Sequence, residues 1–310
     1  MIGGLNDSLI RPLIRKVTNM RLRNSFVKEN LTGYLFILPQ MLIFLAFLVY
    51  PILEGIRLSM YKISYTGETF VGFDNYATLF SDPVFFKALF NTVVFVIFIV
   101  ILTVGFALFV ASAIFDKNAK YVSFIRGSYY IPVMVSMVVM SMVWSFLLNP
   151  ANGLISYLAR ESGMGDVNLL GNPQTVLPVV IFVTFAGNVG QAIILYIASM
   201  IGVSKDLFEA AEVDGASRWH VITKILIPSV SSTTIYITII NIIAVLKIFV
   251  VIQLLTGGGP NNSSVTLMYY LYNNAFKYNQ LGVASAVGVI MFAITLVLSI
   301  PQLKAMIKQK

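Results

Sequence analysis

The chain has 310 residues, 58% of them hydrophobic and 11% charged, whereas a soluble domain carries about 25% charged and about 45–50% apolar residues. That apolar surplus exceeds what one soluble core of this size can hide, and a bilayer is the solvent that accepts it. The net charge of +8 invites a nucleic-acid reading, against which the placement of the charges argues. The absence of cysteine removes disulfides, thiolate metal sites and cysteine nucleophiles.

Residues 1–30 hold six basic residues and several polar breaks rather than a short apolar core, so no cleaved leader is expected there. Leu9, Leu13, Val17 and Met20 recur at helical spacing, with Arg11, Arg15 and Lys16 among them. An amphipathic helix on an anionic inner leaflet and an unstructured basic tail both accommodate that pattern. From 31 to 310 the chain reads as a single membrane domain, with no internal repeat and no low-complexity linker.

A helix needs roughly 20 apolar residues to cross a bilayer. Six stretches qualify, at about 33–54, 88–115, 126–148, 176–203, 229–255 and 281–303. The expected fold is an all-α integral membrane protein with six transmembrane helices. With the N-terminus in the cytoplasm, inner segments carry 15 of the 21 Lys and Arg residues, outer segments carry 5, and Lys247 lies within the fifth span. Both termini are therefore expected on the cytoplasmic side. Pro39, Pro51, Pro132 and Pro178 fall in or near spans, where proline usually marks a kink.

Polar residues inside spans are few. Lys247 is the one ionisable group well within a span, and an unpaired ammonium in hydrocarbon costs at least roughly 2.5–3.5 kcal/mol. It is expected to face a watery cavity or a partner chain. Asn241 and Gln253 on the fifth span, with Asn188 and Gln191 on the fourth, offer neutral donors and acceptors. Such groups suit a path for hydroxylated solutes, which must be matched as water is stripped. Interhelical hydrogen bonding is the other role open to them.

Between spans four and five, residues 204–228 form a polar loop. Ser204 can cap a helix with Asp206 in its first turn, and Gly215 can end that helix in a left-handed conformation. Ser217 can cap a second helix that Pro228 closes. Ala210, Ala211 and Ala216 keep the resulting knob slim, while Leu207, Phe208 and Trp219 are apolar groups that an isolated loop leaves wet.

Glu209-Ala210-Ala211, then Asp214-Gly215-Ala216, then Leu226-Ile-Pro228, resembles the EAA signature of binding-protein-dependent ABC importer permeases, in the form of the carbohydrate-uptake, maltose-type branch. Thr256-Gly257-Gly258-Gly259-Pro260 resembles the outer loop element of that branch, and Asn91-Thr92 its usual opening of span two. The likeness covers about residues 33–304. It implies that Glu209, Ala210, Ala211, Asp214, Gly215, Ala216 and Pro228 belong to a coupling helix docking on an ATPase subunit. It also implies a second permease, two ABC ATPases and an extracellular solute-binding protein as partners, in a bacterial-type cytoplasmic membrane. ATP and magnesium would sit on the ATPases, with no cofactor on this chain. Physically, three glycines and a proline make an abrupt non-helical exit where the backbone can approach other chains or a solute; a plain surface turn is the alternative. The sequence departs from the branch where Trp-Gly is usual and Asn188-Val-Gly190 stands, and in the short connection between spans one and two.

Other classes fare worse. No phosphate-binding Gly-rich loop is present, so ATP hydrolysis is not expected here. The sole histidine, His220, has no companion for a metal or a catalytic pair. A self-contained secondary transporter should carry coupling carboxylates in its spans, and none stands from Asp116 to Glu161 or after Asp214.

Overall fold

The computed structural model describes residues 33–64, 67–163 and 165–308, with side chains placed through residue 300. The amphipathic or basic segment read at 1–30 lies outside the described residues. The chain divides into two compact units, one ending at Arg57 and one running from Leu58.

The described part of the first unit is a helix, α1 (Gly33–Leu58). A π turn over Leu45–Val49 widens it just before Pro51. A proline ring crowds the carbonyl four residues back, here Phe47, and the wider turn relieves that clash. Pro39 leaves the helix unbroken.

The second unit opens with an antiparallel hairpin of β1 (Tyr61–Ser64) and β2 (Gly67–Phe70), Tyr61 opposite Phe70 and Ser64 opposite Gly67. The fold is thus mostly but not wholly helical. Two four-residue strands leave no period long enough to show in a search for apolar spans. Then α2 (Asp74–Ser81) places buried Asn75 to donate hydrogen bonds to the Ser59 and Tyr61 carbonyls at 2.8 and 3.0 Å.

The long helix α3 (Pro83–Ile114) starts where Asp82 accepts a hydrogen bond from the Val84 N–H at 2.8 Å and Pro83 occupies the first position. The expected span at 126–148 is instead two helices, α4 (Ala119–Met134) and α5 (Met137–Leu147), bent by 91°. Pro132 removes one ladder bond near the break, and Ser136 caps the second helix, so the chain turns between them. α6 (Leu154–Glu161) follows, then α7 (Val176–Ile201). Pro178 sits in the first turn of α7, where an N–H would lack a partner anyway, and no kink results.

Next come α8 (Lys205–Val213), the helical run α9 (Arg218–Ser229) and α10 (Ser231–Leu246), the last two meeting at 62°. α9 holds a π turn at Ile222–Leu226, again just before a proline, Pro228. The expected fifth span, 229–255, is interrupted: after α10 the chain breaks at 247–249 and resumes as α11 (Val250–Leu255). α12 (Leu267–Tyr272) passes into a π turn at Asn273–Lys277, and α13 (Leu281–Lys308) is the last described element. Among the described residues, α1, α3, α7 and α13 are long and apolar enough to cross a membrane, and the two bent pairs would raise the number to six.

Two buried clusters stack along the bundle. One joins α3 and α7 to α11, α12 and α13 through Phe85, Phe95, Val180, Val183, Ile252 and Leu267. The other joins the far ends of α3 and α7 to α9 and α10 through Ala107, Ile193, Tyr196, Leu226 and Ile237. Small residues permit close helix approach in apolar surroundings. Gly190 shows the limit: a Cβ there would collide with the Tyr129 carbonyl of α4.

Candidate functional site

Between the two clusters lies a cavity of about 270 Å³. α7 lines it with Thr184, Asn188, Gln191 and Leu195, one helical face at steps of four, three and four residues. α10 contributes Ile237 and Asn241, and the break contributes Lys247, Ile248 and Phe249. Four of the five polar residues expected to face a solute path, Asn188, Gln191, Asn241 and Lys247, therefore share one cavity. Gln253 does not: it is exposed on α11, outside the lining. Thr184 was missed, although its spacing from Asn188 and Gln191 carries the signal.

The break explains how Lys247 is accommodated. It stands not in mid-helix but at the C-cap of α10, where the negative end of the helix dipole favours a cation. The Lys247 and Ile248 N–H groups close back to the Ala244 and Val245 carbonyls at 3.2 and 3.0 Å. Thr266 donates to the Ile248 carbonyl at 3.2 Å, satisfying an acceptor that the lost helical bond would strand.

Asn188 donates its side-chain N–H to the Thr184 carbonyl at 2.9 Å, and Asn241 donates to Ile237 at 2.8 Å. Each amide is thus oriented by its own helix, and its oxygen has no hydrogen-bond partner among the described residues. The remaining wall is apolar, with Phe249 against Tyr272 at 4.4 Å between ring centres. Two oriented amide oxygens, a glutamine and an ammonium on an apolar wall can match the hydroxyls of a polar solute while covering its carbon skeleton.

Toward one end of the bundle, Thr256 to Pro260 form a folded loop. Gly257 and Gly258 take φ of +56° and +82°, and a Cβ on Gly258 would press on Tyr269 at 2.7 Å. The Thr256 hydroxyl accepts from the Gly258 N–H at 3.2 Å. The Ser264 hydroxyl lies 2.8 Å from both the Thr256 hydroxyl and the Gly259 carbonyl. Asn91 and Thr92, noted separately in the sequence, meet this segment. Asn91 donates to the Asn262 and Val265 carbonyls at 3.2 and 2.9 Å, and Thr92 accepts from the Leu267 N–H at 2.9 Å. Lys87 donates to the Asn261 carbonyl at 2.8 Å. Nearby, burial beside the Asp82 carboxylate, which accepts its hydrogen bond at 2.6 Å, pushes the Tyr270 phenol well above its ordinary pKa.

At the other end, α8 and α9 form the knob read from the sequence. Ser204 accepts from the Asp206 N–H and Ser217 from the His220 N–H, each at 3.3 Å. Gly215 takes φ +69°; its N–H reaches the Glu212 carbonyl at 3.0 Å and the Ala216 N–H reaches Ala211 at 2.9 Å, a Schellman closure. Ala211 is buried, while Glu209, Ala210 and Asp214 are exposed, as are Pro228 and the apolar Leu207, Val213 and Trp219. A contact absent from the sequence reading fixes the knob to the end of α3. Arg218 donates to both Asp116 carboxylate oxygens at 3.1 Å and to the Ala113 carbonyl at 3.0 Å. Phe208 lies 5.8 Å from Phe115, with the Arg218 guanidinium 5.8 Å from the same Phe115 ring. Burial works against ionisation of Asp116, but the Arg218 hydrogen bonds and charge hold its carboxyl below the ordinary value.

The sequence profile of the family described as "Binding-protein-dependent transport system inner membrane component" matches residues 103–303, nearly two thirds of the chain. The chain belongs to this family of transport permeases. Several curated relatives of the permease agree over most of its length. It is 35% identical to "Probable ABC transporter permease protein YurN" of Bacillus subtilis, over 89% of this chain and 96% of that one. It is 34% identical to "Diacetylchitobiose uptake system permease protein NgcF" of Streptomyces coelicolor, over 74% and 68% respectively. Against "sn-glycerol-3-phosphate transport system permease protein UgpA" of Agrobacterium fabrum the identity is 30%, over 87% and 93%. Among solved structures, a chain of a bacterial alginate ABC transporter, in complex with alginate pentasaccharide-bound periplasmic protein, superposes with a TM-score of 0.79 at 25% identity. The match covers 90% of the permease and 94% of that chain.

Proposed function

We propose that this permease spans the bacterial cytoplasmic membrane six times with both termini inside, and forms the path for a carbohydrate in an ATP-driven importer. It does so beside a second permease, with an extracellular binding protein delivering the sugar and two ATPases docked at the 204–228 knob. The observation that carries the reading is the gathering of Asn188, Gln191, Asn241 and Lys247 around one cavity between the two cores. Relatives named for a chitin disaccharide and for glycerol phosphate, and the alginate-transporter likeness, support a sugar or related polyol as cargo. The knob's exposed Glu209, Leu207 and Trp219 fit a docking face, and its closure on Gly215 gives that face one shape. ATP and magnesium belong to the ATPases; this chain holds no cofactor and catalyses nothing.

The test is uptake and binding-protein-stimulated ATP hydrolysis by the complex in vesicles. Truncating one member of a desolvated charge pair costs about 2–5 kcal/mol, so Glu209→Ala abolishes uptake if Glu209 faces a basic group on the ATPase. Gly215→Val is the more severe. The space around Gly215 is open, so the damage comes from forcing a side chain into positive φ and reshaping the knob. Wild-type uptake and hydrolysis in the Gly215→Val complex would sink the coupling assignment.

A further inference from the structure

A second cavity, about 450 Å³, opens beside the knob, where the ends of α3 and α7 meet α4. Its floor is apolar, made by Ile114 of α3 and by Ile197, Met200 and Ile201 of α7. One face of α4 forms a wall, since Ala119, Val122, Ser123 and Arg126 recur at steps of three, one and three residues. Lys117 stands just ahead of α4, and Lys205 opens α8.

Three cations from three segments thus converge on this cavity, and no carboxylate lines it. None of the three charged side chains makes a hydrogen bond or salt bridge among the described residues. The acids nearest in sequence are otherwise placed. Asp116 accepts from Nε and Nη2 of Arg218, though it also feels the charge of Lys117, and Asp206 lies in the exposed first turn of α8. The N-terminus of α4 borders the same space with its positive dipole end.

Basic groups with no carboxylate in the lining, above an apolar floor at the end of a helix bundle, match a phosphodiester carrying acyl chains. The charges would meet the phosphate, the Ser123 hydroxyl can donate to it, and the apolar floor can take the first part of the acyl chains. We propose that this cavity binds the headgroup of an anionic phospholipid. A soluble phosphate shares the charge chemistry but leaves the floor of Ile114, Ile197, Met200 and Ile201 uncovered. The proposal rests on the six-span reading only in placing this end at a membrane surface.

The chain, purified in mild detergent with its accompanying subunits, is titrated with phosphatidylglycerol and with phosphatidylcholine and followed by native mass spectrometry. Phosphatidylglycerol binds preferentially, and excess inorganic phosphate does not displace it. Lys117→Gln/Arg126→Gln/Lys205→Gln weakens its binding about tenfold or more, while Lys120→Gln, outside the cavity lining, leaves it unchanged. Should the triple variant fail to purify, Arg126→Gln alone is read for a loss of about threefold or more, restored by Arg126→Lys. Equal binding of phosphatidylcholine, or full phosphatidylglycerol affinity in the variants, overturns the proposal. Displacement by inorganic phosphate reassigns the cavity to a soluble anion and overturns it as well. Binding is read without ATP or sugar, so its failure and a failure of the coupling test are separate results.

Discussion

At the scale of single residues, Lys247 is the group whose environment the structure changes most. Its need for polar surroundings was legible, because a lone ammonium in an apolar stretch cannot face lipid cheaply, while a cavity and a partner chain both stayed open as those surroundings. That it ends a helix was not legible: the run Ile248-Phe249-Val250-Val251 reads as continuous apolar span, and the break depends on Thr266, 18 residues on, holding the Ile248 carbonyl. Lys247→Met keeps an unbranched side chain one atom shorter and removes its charge and donors. Transport is expected to fall severalfold with expression and assembly intact, and discrimination between neutral and acidic sugars to shift. Unchanged uptake kinetics for both kinds of sugar would assign Lys247 to helix capping alone. Gln253 illustrates the converse, a polar residue in an apolar run whose direction only the broken helix determines.

Among elements, the bilayer-length helices were legible because their apolar runs are long and free of charge, and α3 and α7 lie within a few residues of the stretches read for them. The bends were legible in part. Pro132 announced the turn between α4 and α5, but Pro178 fell where a helix tolerates proline. The hold of α9 on α3 was illegible, since Arg218 and Asp116 lie 102 residues apart and each reads alone as a surface charge. Both side chains are partly exposed, at 51% and 38%, so the pair adds at most about 1 kcal/mol to stability, and its use is positional. Because the folded carboxyl titrates below its ordinary value, the pair is intact above about pH 4 and lost only as pH falls through that lowered value. Asp116→Arg is expected to leave the chain inserted but to uncouple ATP hydrolysis from uptake. The exchange Asp116→Arg/Arg218→Asp restores coupling in part. If the exchange is no better than either single change, the contact is incidental.

For the whole molecule, the lining of the central cavity argues that one chain is half of a device. Asn188, Gln191, Ala244 and Lys247 line the cavity and are all exposed in this chain, as a face that the proposed second permease covers would be. A partner of different sequence with its own Glu-Ala-Ala loop is expected in the purified complex, in equal amount. Two copies of this permease and no other would reject the heterodimer. The hydrogen bonds that link Lys87, Asn91 and Thr92 with residues 261–267 bear on which segments such a device holds together. They tie the loop after α11 and the first residue of α12 to the head of α3. α10 leaves α9 at 62° and, packed on α3 and α7 through Ile237, runs to the gap at 247–249, where the helical ladder stops. Under the proposed coupling, with the knob held to α3 by Arg218 and Asp116, a push at 204–228 is expected to be taken up at that gap, shifting Lys247 relative to Val250 and Val251.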